Sequence, residues 1–581
     1  MSEIIDEKIF KLSAALKAEV ADYELESFAG FFTHFIKHRP GDDHGAMNDF
    51  YSKLKDYQYL IALNASAKSR GDKRISLADP NIKKWSSTLR EIKRLYQENS
   101  LGKLSDLEQT PENKQKVTHY LSFQTYFENG ALSYMEQDLD RLKRIFQPYD
   151  ERLTADFGFD SNFLIGLYRF SELVTAEKHK RVNAFAASPQ FIELLNTDNE
   201  DDFEKRLEKL PPYVLDYLDS NIEFSHASFK FSREEYCSAF PCEQIDSFLN
   251  ILTYIPQPED GYMFFAQANP LDEKPIMLLP SGEYLFVYQK QVPIAIGNYL
   301  YKHLQLDIAI ADKVRKHRDK SLEEKTKEIF ENLFKKEERT FTYSNYHAKK
   351  NTEQDILILS KNAAFIIEVK ASKYREPFRT PSKGFDRLKS DFKESIQYGY
   401  EQCMRIEEKF RQNLTFPILN EKREIIYQID PKKYPEIYSI IVTLERFGPM
   451  QSDLNLMLEK EESNKFPWAV YIDDLEAFIL ALKKTHKNPV RPFKDFLRDR
   501  SAFHGRAIIT DELDVCGTFL SNPKLFKEIA GNEDASATFM PDNQQIFDDL
   551  YHTGLGFEGE LFIEVKQGRK PRKTASIRAW S

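Results

Sequence analysis

Two carboxylates and one ammonium group lie close together in the stretch NTEQDILILSKNAAFIIEVKAS (351–372): Asp355, Glu368 and Lys370. Two hard oxygen ligands side by side suit Mg2+ or Mn2+, ions that keep several waters and take one or two protein carboxylates together with substrate phosphate oxygens. A lysine beside such an ion can orient or deprotonate an attacking water and offset charge building on a phosphate. These residue types therefore point to metal-assisted hydrolysis of a phosphodiester.

That chemistry needs the three side chains to meet, and the pattern predicts how. Residues 355–359 (DILIL) and 363–369 (AAFIIEV) are apolar runs of strand length around the polar turn Ser360-Lys361-Asn362, which predicts an antiparallel hairpin. Side chains alternate faces along a strand, so Glu368 and Lys370 point the same way while Val369 points into the core. The turn carries the chain back and sets Asp355 beside Glu368. Downstream, 392–410 (FKESIQYGYEQCMRIEEKF) predicts a helix. Upstream, 321–334 (SLEEKTKEIFENLF) predicts an amphipathic helix with Ser321 as N-cap and Glu324 closing a capping box.

At these residues the sequence resembles the PD-(D/E)xK nuclease superfamily, with its Mrr-type and RecB-type members and their restriction-endonuclease-like core. Gln354 stands where the first Pro of the family name would be. The resemblance covers 320–410 and the strand predicted at 437–444. It implies a mixed sheet flanked by two helices, a divalent metal held by Asp355 and Glu368 with the Val369 carbonyl, and Lys370 at the attacking water. It also implies a metal-assisting Glu early in the first helix, which Leu322-Glu323 fits, and a Gln in the second helix. Gln402 is preferred over Gln397 there, because it follows Gly399-Tyr400 as in Mrr-like members. One such core embedded in long unassigned regions also resembles stand-alone bacterial anti-phage nucleases of the Shedu or NERD type, which implies DNA as substrate and a role in defence against phage or foreign DNA.

The chain has 581 residues, 41% hydrophobic and 30% charged, too long for one core. The expected architecture is multidomain: a mostly helical region (1–255) serving as sensor or oligomerisation module, a short β-rich connector (256–310) feeding the core, an α/β nuclease core (311–485), and an α+β C-terminal region (486–581) with a basic tail. No stretch approaches the length of a membrane span, and the acidic start MSEIIDEKIF differs from a basic signal peptide, so a cytoplasmic location is expected. Cys237, Cys242, Cys403 and Cys516 give no disulfide framework and are expected to be buried thiols.

A net charge of −10 argues against a protein that coats nucleic acid, but charge near the site is what a nuclease requires. Lys313, Arg315, Lys316, Arg318 and Lys320 precede the first helix of the core. Lys349, Lys350, Lys373, Arg375 and Arg379 flank the hairpin and are the expected backbone contacts to DNA. Each alone reads equally well as a solvated charge. A second Glu-Val-Lys, at Glu564 and Lys566, lacks a paired acidic strand and reads as an ordinary edge strand. No phosphate-binding Gly-rich loop with Lys-Ser/Thr occurs, so any ATPase would be a separate partner. Two other readings stay open: a catalytically silent binding protein that keeps the fold, and a nuclease directed at RNA.

Overall fold

The computed structural model describes residues 2–37, 45–101, 110–128, 133–186, 189, 226–258, 261–349, 352–373, 375, 381–560 and 577–580. The chain divides into two compact units, 1–102 with 127–311 and 103–126 with 312–581. It is a mixed α/β protein with a helical N-terminal region, and no helix among the described residues is long and apolar enough to cross a membrane.

The first unit is built from amphipathic helices. Leu25–Lys37 buries Phe28, Phe31, Phe32 and Phe35 on one face at helical spacing, and Trp85 of helix Asn81–Leu101 sits edge-on to Tyr23 and Phe28 at 5.3 and 5.6 Å. The strands Ile276–Leu278 and Tyr284–Phe286, expected to feed the nuclease core, pair instead in a four-stranded sheet of this unit with Thr253–Tyr254 and Lys230–Phe231. Each of these four strands has only two or three residues, so its partner is set by non-local pairing that local pattern does not encode. Cys237 and Cys242 are joined as a disulfide, which corrects the expectation of four thiols. Helix Arg233–Cys237 ends and helix Cys242–Leu252 begins across a tight turn, bringing the two Cα atoms to 4.8 Å. Cys403 and Cys516 are buried thiols as expected.

The second unit holds the predicted site. Helix α1 (Ile308–Phe334) leads into strands β1 (Thr340–Lys349), β2 (Thr352–Ser360) and β3 (Ala363–Lys370), then α2 (Pro381–Phe392), a π-helical turn (Lys393–Gln397) and α3 (Tyr398–Arg411). A hairpin of β4 (Phe416–Leu419) and β5 (Ile425–Ile429) follows, then β6 (Glu436–Thr443), β7 (Trp468–Tyr471) and α4 (Ile472–Thr485). The seven strands form one sheet in the order β7-β6-β3-β2-β1-β4-β5, parallel across β3, β6 and β7 and antiparallel elsewhere. Buried along its whole length, β3 is an interior strand of the sheet, as its unbroken apolar run implies.

Both faces of the sheet are covered. On one, Leu357, Leu359, Ala364 and Ile366 pack with Phe392, Ile396, Tyr400 and Cys403. On the other, Phe365 meets Phe334 of α1 at 5.0 Å and Phe493 of helix Val490–Arg500 at 6.2 Å. Among the described residues the expected C-terminal α+β region has four helices and a three-stranded sheet, but it belongs to the same compact unit as the core.

Two helix boundaries differ from expectation. Ser321 lies inside α1, and its hydroxyl donates back to the His317 carbonyl at 2.8 Å, so it is no N-cap. Glu324 pairs with Lys320 at 3.6 Å and closes no capping box. The segment from 308 to 320 has neither Gly nor Pro to stop a helix, so a good cap residue is overrun by its upstream neighbours. The helix expected at 392–410 is the later part of a longer helical run from Pro381 to Arg411.

Candidate active site

The β2–β3 hairpin turns through Lys361-Asn362, with Lys361 at φ 53 and Ser360 opposite Ala363. That register carries Ile356 opposite Ile367, and one step further the Asp355 carboxylate accepts the Val369 N–H at 2.7 Å. Asp355 and Glu368 are thus neighbours across the hairpin, as alternation predicts. On its other side β3 pairs with β6, Ile441 beside Glu368 and Thr443 beside Lys370, so the charged end of β3 is enclosed by strands on both flanks.

Lys370 Nζ donates to Asp355 Oδ2 at 3.2 Å, to Glu368 Oε2 at 3.2 Å and to the Val369 carbonyl at 3.1 Å. Glu368 is fully buried and Lys370 nearly so. Burial, then the Asp355 charge beside it, pushes the Glu368 carboxyl well above the usual carboxylate range against the pull of Lys370. Burial opposes the charge on Lys370, but Glu368 and Asp355 outweigh it and hold its pKa above the ordinary lysine value. Glu368 Oε1 is buried with no hydrogen-bond partner, an atom that a cation or an ordered water would satisfy. The donor set fits Mg2+ or Mn2+, which Asp355, Glu368 and the Val369 carbonyl would hold.

Glu323 sits on α1 within electrostatic reach of this centre. Burial first, then Asp355 and Glu353, raises its pKa to about 7, with Lys370 pulling the other way. It does not complete a three-carboxylate cage: among the described residues no set of three or more His, Cys, Asp or Glu is arranged to hold a metal. Gln402 is buried on α3 with its Oε1 unpartnered, and no hydrogen bond ties it to Asp355, Glu368 or Lys370. Gln397 is spoken for, since its amide bonds both the N–H and the carbonyl of Glu459 at 2.9 and 3.0 Å.

The basic residues fare unevenly. Lys373 is exposed just past the end of β3. Arg375 binds Asp391 through Nε at 2.7 Å and through a second guanidinium nitrogen, so its charge is already matched by a carboxylate. Lys349 is the last residue of β1, while Lys350, Arg379, Glu564 and Lys566 lie outside the described residues.

Sequence reasoning missed Tyr346. It is fully buried with its hydroxyl unpartnered, and burial, then the Glu368 charge, raises its pKa. Regular alternation would put Tyr343 and Tyr346 on opposite faces of β1, yet both pack against the same core. Asn345 between them takes φ 49, where the strand breaks its alternation. An Asn inside a Tyr-rich strand was the available signal.

The raised carboxyls carry a stability consequence. A group whose pKa is raised in the fold holds a proton there at pH values where the unfolded chain has lost it, so stability falls as pH rises through that window. For Glu323 the window runs from 4.5 to about 7. Melting temperature in EDTA should decline across it, and Glu323→Gln should flatten the decline. An unchanged pH profile in that variant would place Glu323 in ordinary solvent.

Comparison with protein-family models, with curated proteins and with solved structures found no match for this chain.

Proposed function

We propose that the chain is a metal-dependent phosphodiesterase acting on DNA. The observation that carries this reading is the convergence of Asp355, Glu368, Lys370 and the Val369 carbonyl at the enclosed end of an interior strand. A fully buried carboxylate set against a half-buried one and a nearly buried lysine costs stability, and groups so perturbed cluster at functional sites. The succession α1, β1, β2, β3, α2–α3, β6 around a mixed sheet supports the restriction-endonuclease-like core that the resemblance implies.

In this reading Asp355 and Glu368 hold the metal, and the Val369 carbonyl adds a third oxygen. Bound Mg2+ would polarise a phosphoryl oxygen and lower the pKa of its water. Lys370 orients that water and offsets charge building on the phosphate. Glu323, with its raised pKa, stands on α1 where it can accept a proton. A supporting role for Gln402 on α3 rests on the resemblance alone, and Lys373 contacts the backbone of the polyanion. DNA as substrate and defence against phage or foreign DNA rest on the resemblance alone.

The test is incubation of the full chain with supercoiled, linear and single-stranded DNA and with RNA, in Mg2+, Mn2+ or EDTA. Cleavage of DNA that needs the metal and stops in EDTA is expected, and Glu564→Ala should cut near the wild-type rate. Binding without cleavage in every metal would favour the silent binding protein, and cleavage of RNA alone would reassign the substrate.

A further inference from the structure

Lys370 does more than stand beside the predicted metal ligands. Its ammonium bonds Asp355 Oδ2, Glu368 Oε2 and the Val369 carbonyl, at 3.2, 3.2 and 3.1 Å. All three groups expected to hold a divalent ion thus already bond one cation of the chain, each through one oxygen, with Glu368 Oε1 left without a partner. Ammonium and metal cannot serve the same oxygens from the same point. The side chain therefore needs a second resting place, and one lies beside it. Lys370 Nζ is 5.7 Å from the centroid of the Tyr398 ring, within reach of a cation–π contact. Tyr398 is 49% exposed, and the Arg405 guanidinium already lies 5.8 Å from its ring centroid.

A Cβ at Gly399 would stand 3.0 Å from Ile441 Cγ2, tighter than side chains normally pack, and in ordinary contact at 3.4 Å with Lys370 Cε, so the glycine lets α3 lie close on β6 beside the lysine stem. The π-helical turn Lys393–Gln397 immediately precedes Tyr398. Such turns shift the facing of all that follows, and they recur at functional sites.

We propose that Lys370 fills the cation position in the resting protein and that Tyr398 takes up its ammonium when a divalent cation enters. This makes Tyr398 a positioning residue for the metal site, an inference that rests on the phosphodiesterase reading above. From the ring the ammonium stays at the mouth of the site, where the phosphate and its attacking water would lie.

The experiment is Mn2+ binding to the full chain, followed by the paramagnetic resonance signal of the free ion. Lys370→Met, or Lys370→Gln if the first fails to fold by its melting curve, should bind Mn2+ about tenfold more tightly than wild type, as when a competing state populated to about nine-tenths is removed. Tyr398→Leu should bind about two- to fivefold more weakly and Tyr398→Phe as wild type, because a ring face suffices. In the Lys370→Met background, Tyr398→Leu should change nothing, a result that a merely structural tyrosine would not give. No tightening in either Lys370 variant, or the same loss from Tyr398→Leu in both backgrounds, overturns the inference. If Asp355→Asn abolishes Mn2+ binding while the Lys370 variants gain nothing, this inference falls and the phosphodiesterase reading stands. If Asp355→Asn binds as wild type does, or no protein binds Mn2+, both fall.

Discussion

Asp355→Asn should lower metal-dependent DNA cleavage by about three orders of magnitude, since a metal held in place supplies several kcal/mol of charge stabilisation to the transition state. The substitution keeps the shape of the side chain, and the amide oxygen can still accept the Val369 N–H that Asp355 Oδ2 accepts at 2.7 Å. What it removes is the charge facing Lys370 and one hard anionic ligand. Folding should therefore survive, read as an unchanged circular dichroism spectrum and a cooperative melt, while Mn2+ affinity collapses. Glu368→Gln is the less clean probe, because the Glu368 side chain is fully buried and its Oε1 already lacks a partner. Cleavage by Asp355→Asn at the wild-type rate would refute the assignment outright.

How far the site was legible follows from which interactions are local. The hairpin was readable because two apolar runs of strand length flank a short polar turn, and the juxtaposition of Asp355, Glu368 and Lys370 follows from a period of two. The strand expected at 437–444 and observed at 436–443 was readable as another apolar run of strand length. Ser321 misled because a local cap signal says nothing about whether the helix has already begun upstream. The π turn before Tyr398 has no sequence period of its own, so the facing of Tyr398 and Gly399 toward Lys370 could not be deduced. Tyr346 was hidden by one left-handed residue, Asn345, that breaks strand alternation. The pairing of strands 276–278 and 284–286 within the first unit, and the approach of Cys237 to Cys242, depend on contacts that no short window contains.

Lys370→Ala separates the lysine from the ligands, because an ammonium that orients the water and offsets charge on the phosphate acts on the chemical step, where one such donor is worth about 10²–10³-fold. Cleavage under saturating metal and DNA should fall by that amount. Metal affinity should not fall with it, in contrast to Asp355→Asn, since Lys370 donates to the carboxylates and is no ligand itself. Removing the ammonium leaves Asp355 and the buried Glu368 with no cation between them, so the apo protein should melt at lower temperature and recover more on adding Mg2+ than wild type does. The two readouts move in opposite directions, activity down and metal-dependent stabilisation up, and a residue that merely held the hairpin together would lower both. Loss of metal binding together with activity would make Lys370 part of the scaffold that positions Asp355 and Glu368, and the water-orienting group would then have to be sought at Glu323, a carboxyl on α1 whose pKa burial and Asp355 raise to about 7.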